Sequence, residues 1–275
     1  MFKIPLFGLS SVFYTSCTKK EPYLFIGNTH KFKNCLNLMT LGGYLPVKLF
    51  KETHYESENE LFPDENGSKS LIGTTVDNMT RVLLGAKTKK VFEPASFGMM
   101  AIKDLNFDLI DEVTGLDDDS ILAAYQLSFY EQIYRSGYIP STDYELELPD
   151  EHTIENIREM VNRSLRYFQH QAKLVNVGDR LSVNYKEDNI YGDYDYLTDD
   201  SLIDMKVLSR KIANKYTLQI ILYCIIGMKS KKKLFSNVKY LKFYNPRLNV
   251  EYSFDLDELT SDILKPILDE VLMAQ

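Results

Sequence analysis

The sequence predicts an α/β (α+β) chain: a mainly helical part over residues 1–175 and a strand-bearing core over 176–275, in one domain of 275 residues. Three observations predict it. Apolar residues recur at helical spacing through the first part, strand-like alternation begins only after residue 180, and no internal repeat or low-complexity linker separates the two.

The elements follow in order. Residues 1–60 give no assignable pattern, and residues 55–70, polar and acidic with Pro63, Asn66 and Gly67, predict a loop. Residues 70–84 set Leu71, Ile72, Val76, Met79, Val82 and Leu83 at helical spacing, with Gly85 as the C-terminal cap. Asp117-Asp118-Asp119-Ser120 leads into a helix over 121–135, ended by Gly137 and Pro140. Another helix opens at Pro149-Asp150 and runs to about Lys173, with Ile154, Ile157, Met160, Val161, Leu165 and Phe168 on one side. Residues 181–197 alternate and are rich in Tyr and Val, which predicts a strand. Thr198-Asp199-Asp200-Ser201 supplies turn chemistry, and residues 202–208 predict a second strand. A helix over 216–226 closed by Gly227, two short strands over 238–244 and 250–254, and a last helix from Asp257 towards Leu272, bent at Pro266, complete the order.

Composition narrows the function. A net charge of −7 argues against a protein that coats nucleic acid. Yet from Met205 to Val250 there is no Asp or Glu, while Lys206, Arg210, Lys211, Lys215, Lys229, Lys231, Lys232, Lys233, Lys239, Lys242 and Arg247 all fall there. Arg210, Lys211 and Lys215, between the second strand and the following helix, are expected to contact nucleic acid. Tyr240, Phe243 and Tyr244 are expected to be core strand residues rather than base-stacking ones. Cys17, Cys35 and Cys224 are odd in number, far apart and without a CxxC pair, which predicts neither a disulfide framework nor a zinc knuckle and favours a cytoplasmic setting. His30, His54, His152 and His170 form no HxH or HExxH spacing, and no Walker loop is present. The apolar run over 218–228 is too short to span a membrane and contains Gln219. Near the start, Tyr14-Thr15-Ser16-Cys17 has a faint look of a lipoprotein cleavage site. Lys3 is the only charge ahead of it and Pro5, Gly8, Ser10 and Ser11 interrupt the apolar stretch, so an ordinary folded N-terminus is expected.

One stretch carries chemistry. Gly192-Asp193-Tyr194-Asp195 is followed by Asp204-Met205-Lys206 on the next strand. Side chains two apart share a strand face, so Asp193 and Asp195 share one, and Asp204 and Lys206 share another. A tight turn brings two or three carboxylates and one ammonium to one spot. Carboxylates are hard ligands for Mg²⁺, and a neighbouring ammonium can orient or deprotonate water or stabilise developing negative charge. On these residues alone, a solvated hairpin with surface ion pairs is the simpler reading. The next helix adds Gln219 and Tyr223, four apart on one face amid apolar residues, where a buried amide needs a partner.

Gly192-x-x-Asp195, Asp204-x-Lys206 and Gln219-x-x-x-Tyr223, in this order over about residues 183–223, resemble the RecB-type, lambda-exonuclease-like branch of the PD-(D/E)xK nucleases. The resemblance implies a restriction-endonuclease-like core, a mixed central sheet flanked by helices, and hydrolysis of DNA phosphodiester bonds with Mg²⁺, for which Mn²⁺ substitutes. It implies Asp195, Asp204 and the backbone carbonyl of Met205 as metal ligands, Lys206 as the residue that activates or orients water, and Gln219 and Tyr223 as supports of the site. Gly73-Thr74-Thr75-Val76-Asp77 fills the slot of an upstream Gly-x-x-x-acid, which makes Asp77 a further ligand; the alternative is a solvated helix residue paired with Arg81. A helicase or recombination partner would be a separate chain. A non-catalytic nucleic-acid-binding protein on the same fold, and a nuclease acting on RNA, stay open beside this reading, as do exo- against endonuclease action and the oligomeric state.

Overall fold

The computed structural model describes residues 15–17, 21–23, 45–57, 59–141, 144–185, 188–230 and 233–266, with backbone alone for 15–17, 21–23, 183–191 and 264–266. The described chain divides into two compact units: a helical one over 56–170, and a sheet-bearing one formed by the chain on either side of it. The sequence reads as a single domain whose helical part begins at residue 1. A strand that precedes the helices belongs instead to the sheet.

The helical unit holds α1 (Lys69–Leu83), α2 (Thr88–Val91), α3 (Glu93–Ile102), α4 (Asp108–Glu112), α5 (Asp118–Ser136) and α6 (Glu151–Gln169). The expected stripe on α1 is buried at Leu71, Ile72, Val76 and Met79. Asp117 caps α5 by accepting the Ser120 N–H, and Gly137 ends it in the left-handed conformation. Asp150 caps α6 in the same way through the Thr153 N–H. α6 stops at Gln169 rather than near Lys173, because Lys173 is already engaged with the sheet: its carbonyl accepts the Asp199 N–H at 2.9 Å. The three short helices α2–α4 have too few turns to display a period. α3 lies close enough to α5 that a Cβ on Gly98 would run into the Tyr130 backbone carbonyl.

The other unit has a two-stranded antiparallel ribbon, β1 (Thr15–Cys17) with β2 (Glu21–Tyr23), and a six-stranded mixed sheet. The sheet strands are β3 (Lys51–His54), β4 (Leu174–Tyr185), β5 (Asp188–Thr198), β6 (Ser201–Met205), β7 (Tyr240–Asn245) and β8 (Val250–Asp255). Their order is β3-β8-β7-β6-β5-β4, with β6 parallel to β7 and every other pair antiparallel. A long helix, α7 (Asn214–Lys229), makes the β6-to-β7 crossover and packs against β4 to β7. Phe50 closes on Phe243 and Phe254 at centroid distances of 5.7 and 5.4 Å, and Tyr244 is fully buried. Phe243 and Tyr244 are thus core residues, as expected.

Four boundaries differ from the sequence reading. The single strand expected over 181–197 is the antiparallel pair β4–β5, with Tyr185 opposite Asp188. The strand expected to reach Leu208 ends at Met205. Gly227 does not close α7 but lies inside it, where the Phe235 ring occupies the space a Cβ would need. The last helix, α8 (Ser261–Pro266), starts four residues after Asp257, behind a 3-10 turn over Leu256–Glu258; its course past Pro266 lies outside the described residues. So do Cys35 and the apolar stretch before β1. Among the described residues, no helix is long and apolar enough to cross a membrane.

Candidate active site

β5 and β6 pair only briefly. The ladder joins Leu197 to Leu202 and Tyr196 to Ile203 and then stops, although both strands continue. The next step of that register would oppose Asp195 and Asp204. There the Asp195 side chain replaces the ladder: its Oδ2 accepts the Met205 N–H at 3.1 Å. Lys206 follows the end of β6 and is held by its own backbone, whose N–H donates to the Tyr244 carbonyl at 2.9 Å. Its Nζ lies 2.6 Å from Asp204 Oδ2. Asp195 is 5%, Asp204 1% and Lys206 2% exposed.

Two carboxylates and one ammonium therefore share a nearly dry spot. Burial alone pushes the Lys206 ammonium towards the neutral form, but the charges of Asp204 and Asp195 outweigh it and hold the pKa above the ordinary lysine value. Lys206 is accordingly a cation at neutral pH.

Gln219 and Tyr223 stand behind this group on α7. Every residue of that helix from Tyr216 to Gly227 is buried, as expected of a helix apolar on all sides. The donor side of the amide is met within the helix: Gln219 Nε2 donates to the Tyr223 hydroxyl at 2.9 Å. Burial, then the Asp204 and Asp195 charges, push the Tyr223 phenol well above its usual range, so it keeps its proton. Gly192 explains its own place in the motif. A Cβ there would come within 2.8 Å of two Tyr223 ring atoms, so the missing side chain lets α7 seat its tyrosine on β5.

Sequence reasoning missed Tyr216. Its ring centroid lies 5.5 Å from Lys206 Nζ and 4.9 Å from Lys215 Nζ, an aromatic face shared by the buried and the surface cation. The Lys215-Tyr216 pair at the start of a helix was the available signal. The start of α7 is anchored by Asn214, whose Oδ1 accepts the Val47 N–H at 2.8 Å, and by the Thr217 hydroxyl on the Leu45 carbonyl.

Asp77 belongs to the helical unit and forms an ion pair with Arg81 at 2.7 Å, the alternative weighed for it. Lys211 is bound to Glu52 on β3 at 2.8 Å, Arg210 is exposed, and Lys215 lies on Tyr216. Asp193 pairs with Arg180 across the hairpin. Among the described residues no group of three or more His, Cys, Asp or Glu forms a metal cage. Comparison with family models, with curated proteins and with solved structures finds no match for this chain.

Proposed function

We propose that this chain is a metal-dependent nuclease of the PD-(D/E)xK type, with a restriction-endonuclease-like core, that hydrolyses phosphodiester bonds of DNA. The observation that carries this reading is the meeting of Asp195, Asp204 and Lys206 where β5 and β6 part, backed by Gln219 and Tyr223. Surface ion pairs on a solvated hairpin, the simpler expectation, do not account for three charged groups buried together.

The donor set fits a hard divalent cation, since carboxylate oxygens are its ligands and the buried charge is net negative. Asp195, Asp204 and the Met205 carbonyl would hold it. When bound, Mg²⁺ or Mn²⁺ supplies Lewis-acid polarisation of a phosphate and a more acidic water. Lys206 activates or orients that water and stabilises developing phosphoryl charge. Tyr223, a neutral phenol whose hydroxyl accepts from Gln219 Nε2, keeps α7 seated behind the carboxylates. The near-complete burial of Asp204 and Lys206 favours a second reading, a scaffold that binds nucleic acid without cutting it.

The deciding experiment incubates the purified chain with linear, circular and single-stranded DNA and with RNA, in Mn²⁺ and in EDTA. Mn²⁺-dependent DNA cleavage that disappears in Lys206→Ala is expected. Equal cleavage by wild type and Lys206→Ala sinks this mechanism. DNA binding without any cleavage supports the second reading.

A further inference from the structure

Asp195 is the most exposed of the five buried residues, at 5% against 1–2% for the others, and its strand is paired with β4. The β4–β5 register passes from Val177 opposite Tyr196 to Asp179 opposite Tyr194, so Gly178 stands across from Asp195. Gly178 has φ 57°, in the left-handed region that an L side chain resists. Opposed residues of an antiparallel pair share a face, so the β4 flank of the Asp195 carboxylate carries no side chain. Two residues along, on the same face, comes the cross-strand pair of Arg180 and Asp193, with Nε to Oδ1 3.2 Å apart. The Arg180 side chain is 55% and that of Asp193 29% exposed. Exposure thus rises in steps from Asp204 through Asp195 and Asp193 to a guanidinium at the surface.

We infer that Arg180 is a phosphate-binding residue of this site, exchanging Asp193 for a phosphate of the nucleic-acid backbone that approaches over β4 past Gly178. The inference deepens the nuclease reading and rests on it for what lies inward of Asp195. A guanidinium suits the task because its fork matches two phosphate oxygens, and Asp193 neutralises it while no substrate is bound. None of the basic residues singled out from the sequence lies on these two strands.

The test is a binding assay without cleavage: fluorescence anisotropy of a labelled DNA oligonucleotide in EDTA, across a salt titration. Arg180→Ala is expected to weaken binding several-fold and to lower the slope of log affinity against log salt by about 0.7–0.9, the share of one phosphate contact. Arg180→Lys keeps most of the slope, and Asp193→Asn tightens binding by releasing the guanidinium. Lys48→Ala, which removes an exposed lysine elsewhere in the same unit, changes neither quantity. Arg180 is at the surface, so circular dichroism and Tm should match wild type. Wild-type affinity and slope in Arg180→Ala, or an equal loss in Lys48→Ala, overturns the inference. Failure to cleave in Mn²⁺ with this binding pattern intact sinks the nuclease reading and leaves the role of Arg180 standing.

Discussion

The two units bury charge in opposite ways. In the helical unit, Glu159 accepts from Arg163, Arg166 and Asn59 at 3.2, 2.7 and 3.2 Å, and Glu131 from Arg135 and Asn78 at 2.6 and 2.8 Å. Each acid there is matched or over-matched by cations and amides, as a stable interior demands. In the sheet unit Asp195 and Asp204 share one ammonium, and Asp195 spends an oxygen on a backbone N–H that a strand carbonyl would ordinarily take. A matched network serves the fold, and two carboxylates beside one ammonium fit the cation site proposed above.

Mutations can break this contrast. The largest effect is expected at Lys206, where alanine leaves two buried carboxylates without their ammonium. Cleavage should fall below detection in a gel assay, with fold loss excluded by circular dichroism. Next comes Glu159→Ala, which strands Arg163 in the interior and should cost about 3–5 kcal/mol in a urea melt, the usual penalty of an orphaned buried charge. Asp195→Asn should do the reverse. It removes one of two like charges while an amide oxygen can still accept the Met205 N–H, so in EDTA the Tm should rise by a few degrees while cleavage is lost. A lower Tm there would mean the sheet unit's charges are balanced after all. Gly192→Ala, which presses a Cβ on the Tyr223 ring, should cost about 1–3 kcal/mol by overpacking and reduce cleavage in proportion to the displacement of α7.

The smallest effect concerns pH. Asp117 and Asp150 are both held below the usual carboxylate range by the hydrogen bonds they accept as helix caps, Asp117 from the backbone of Ser120 first and Asp150 from the side chain of Thr153 first. A carboxyl depressed in the folded state stabilises above its unfolded pKa of about 3.8, and that contribution is lost as pH falls through the lower folded value. Thermal melts of Asp117→Asn and wild type should therefore converge only at acidic pH, below about 3.8. A difference that persists unchanged there would assign the cap no charge component.

Features written in local chemistry were legible. Asp117 and Asp150 announce their helices, Gly137 ends one, and Asp195, Asp204 and Lys206 meet as their alternation requires. What depends on distant partners was not. Between β4 and β5 the sequence has neither Gly nor Pro to mark a break, so two strands read as one. β3 is four residues, all polar or charged, and only pairing with β8 makes it a strand. Gly227 looks like a helix stop until Phe235, eight residues on, takes up its empty side. Lys211 looks like a free phosphate ligand until Glu52, far back in the chain, claims it.

Where the helical unit leaves the sheet has a further consequence. Tyr55, the last sheet-unit residue before it, donates its N–H to the Asn249 carbonyl, and Gln171, the first after it, accepts from Lys242 Nζ at 2.7 Å and hydrogen-bonds the Tyr55 side chain. The 115 residues between them (56–170) therefore leave from and return to two residues that are hydrogen-bonded to each other within the sheet-bearing unit. In folding terms the sheet must wait, since β3 finds β8 only after nearly the whole chain exists, and such distant pairing is slow. In architectural terms the helices are an insertion that a few linking residues could replace. A chain so shortened would carry Asp195, Asp204 and Lys206 without Asp77, and its behaviour would separate what the sheet does alone from what the inserted helices contribute.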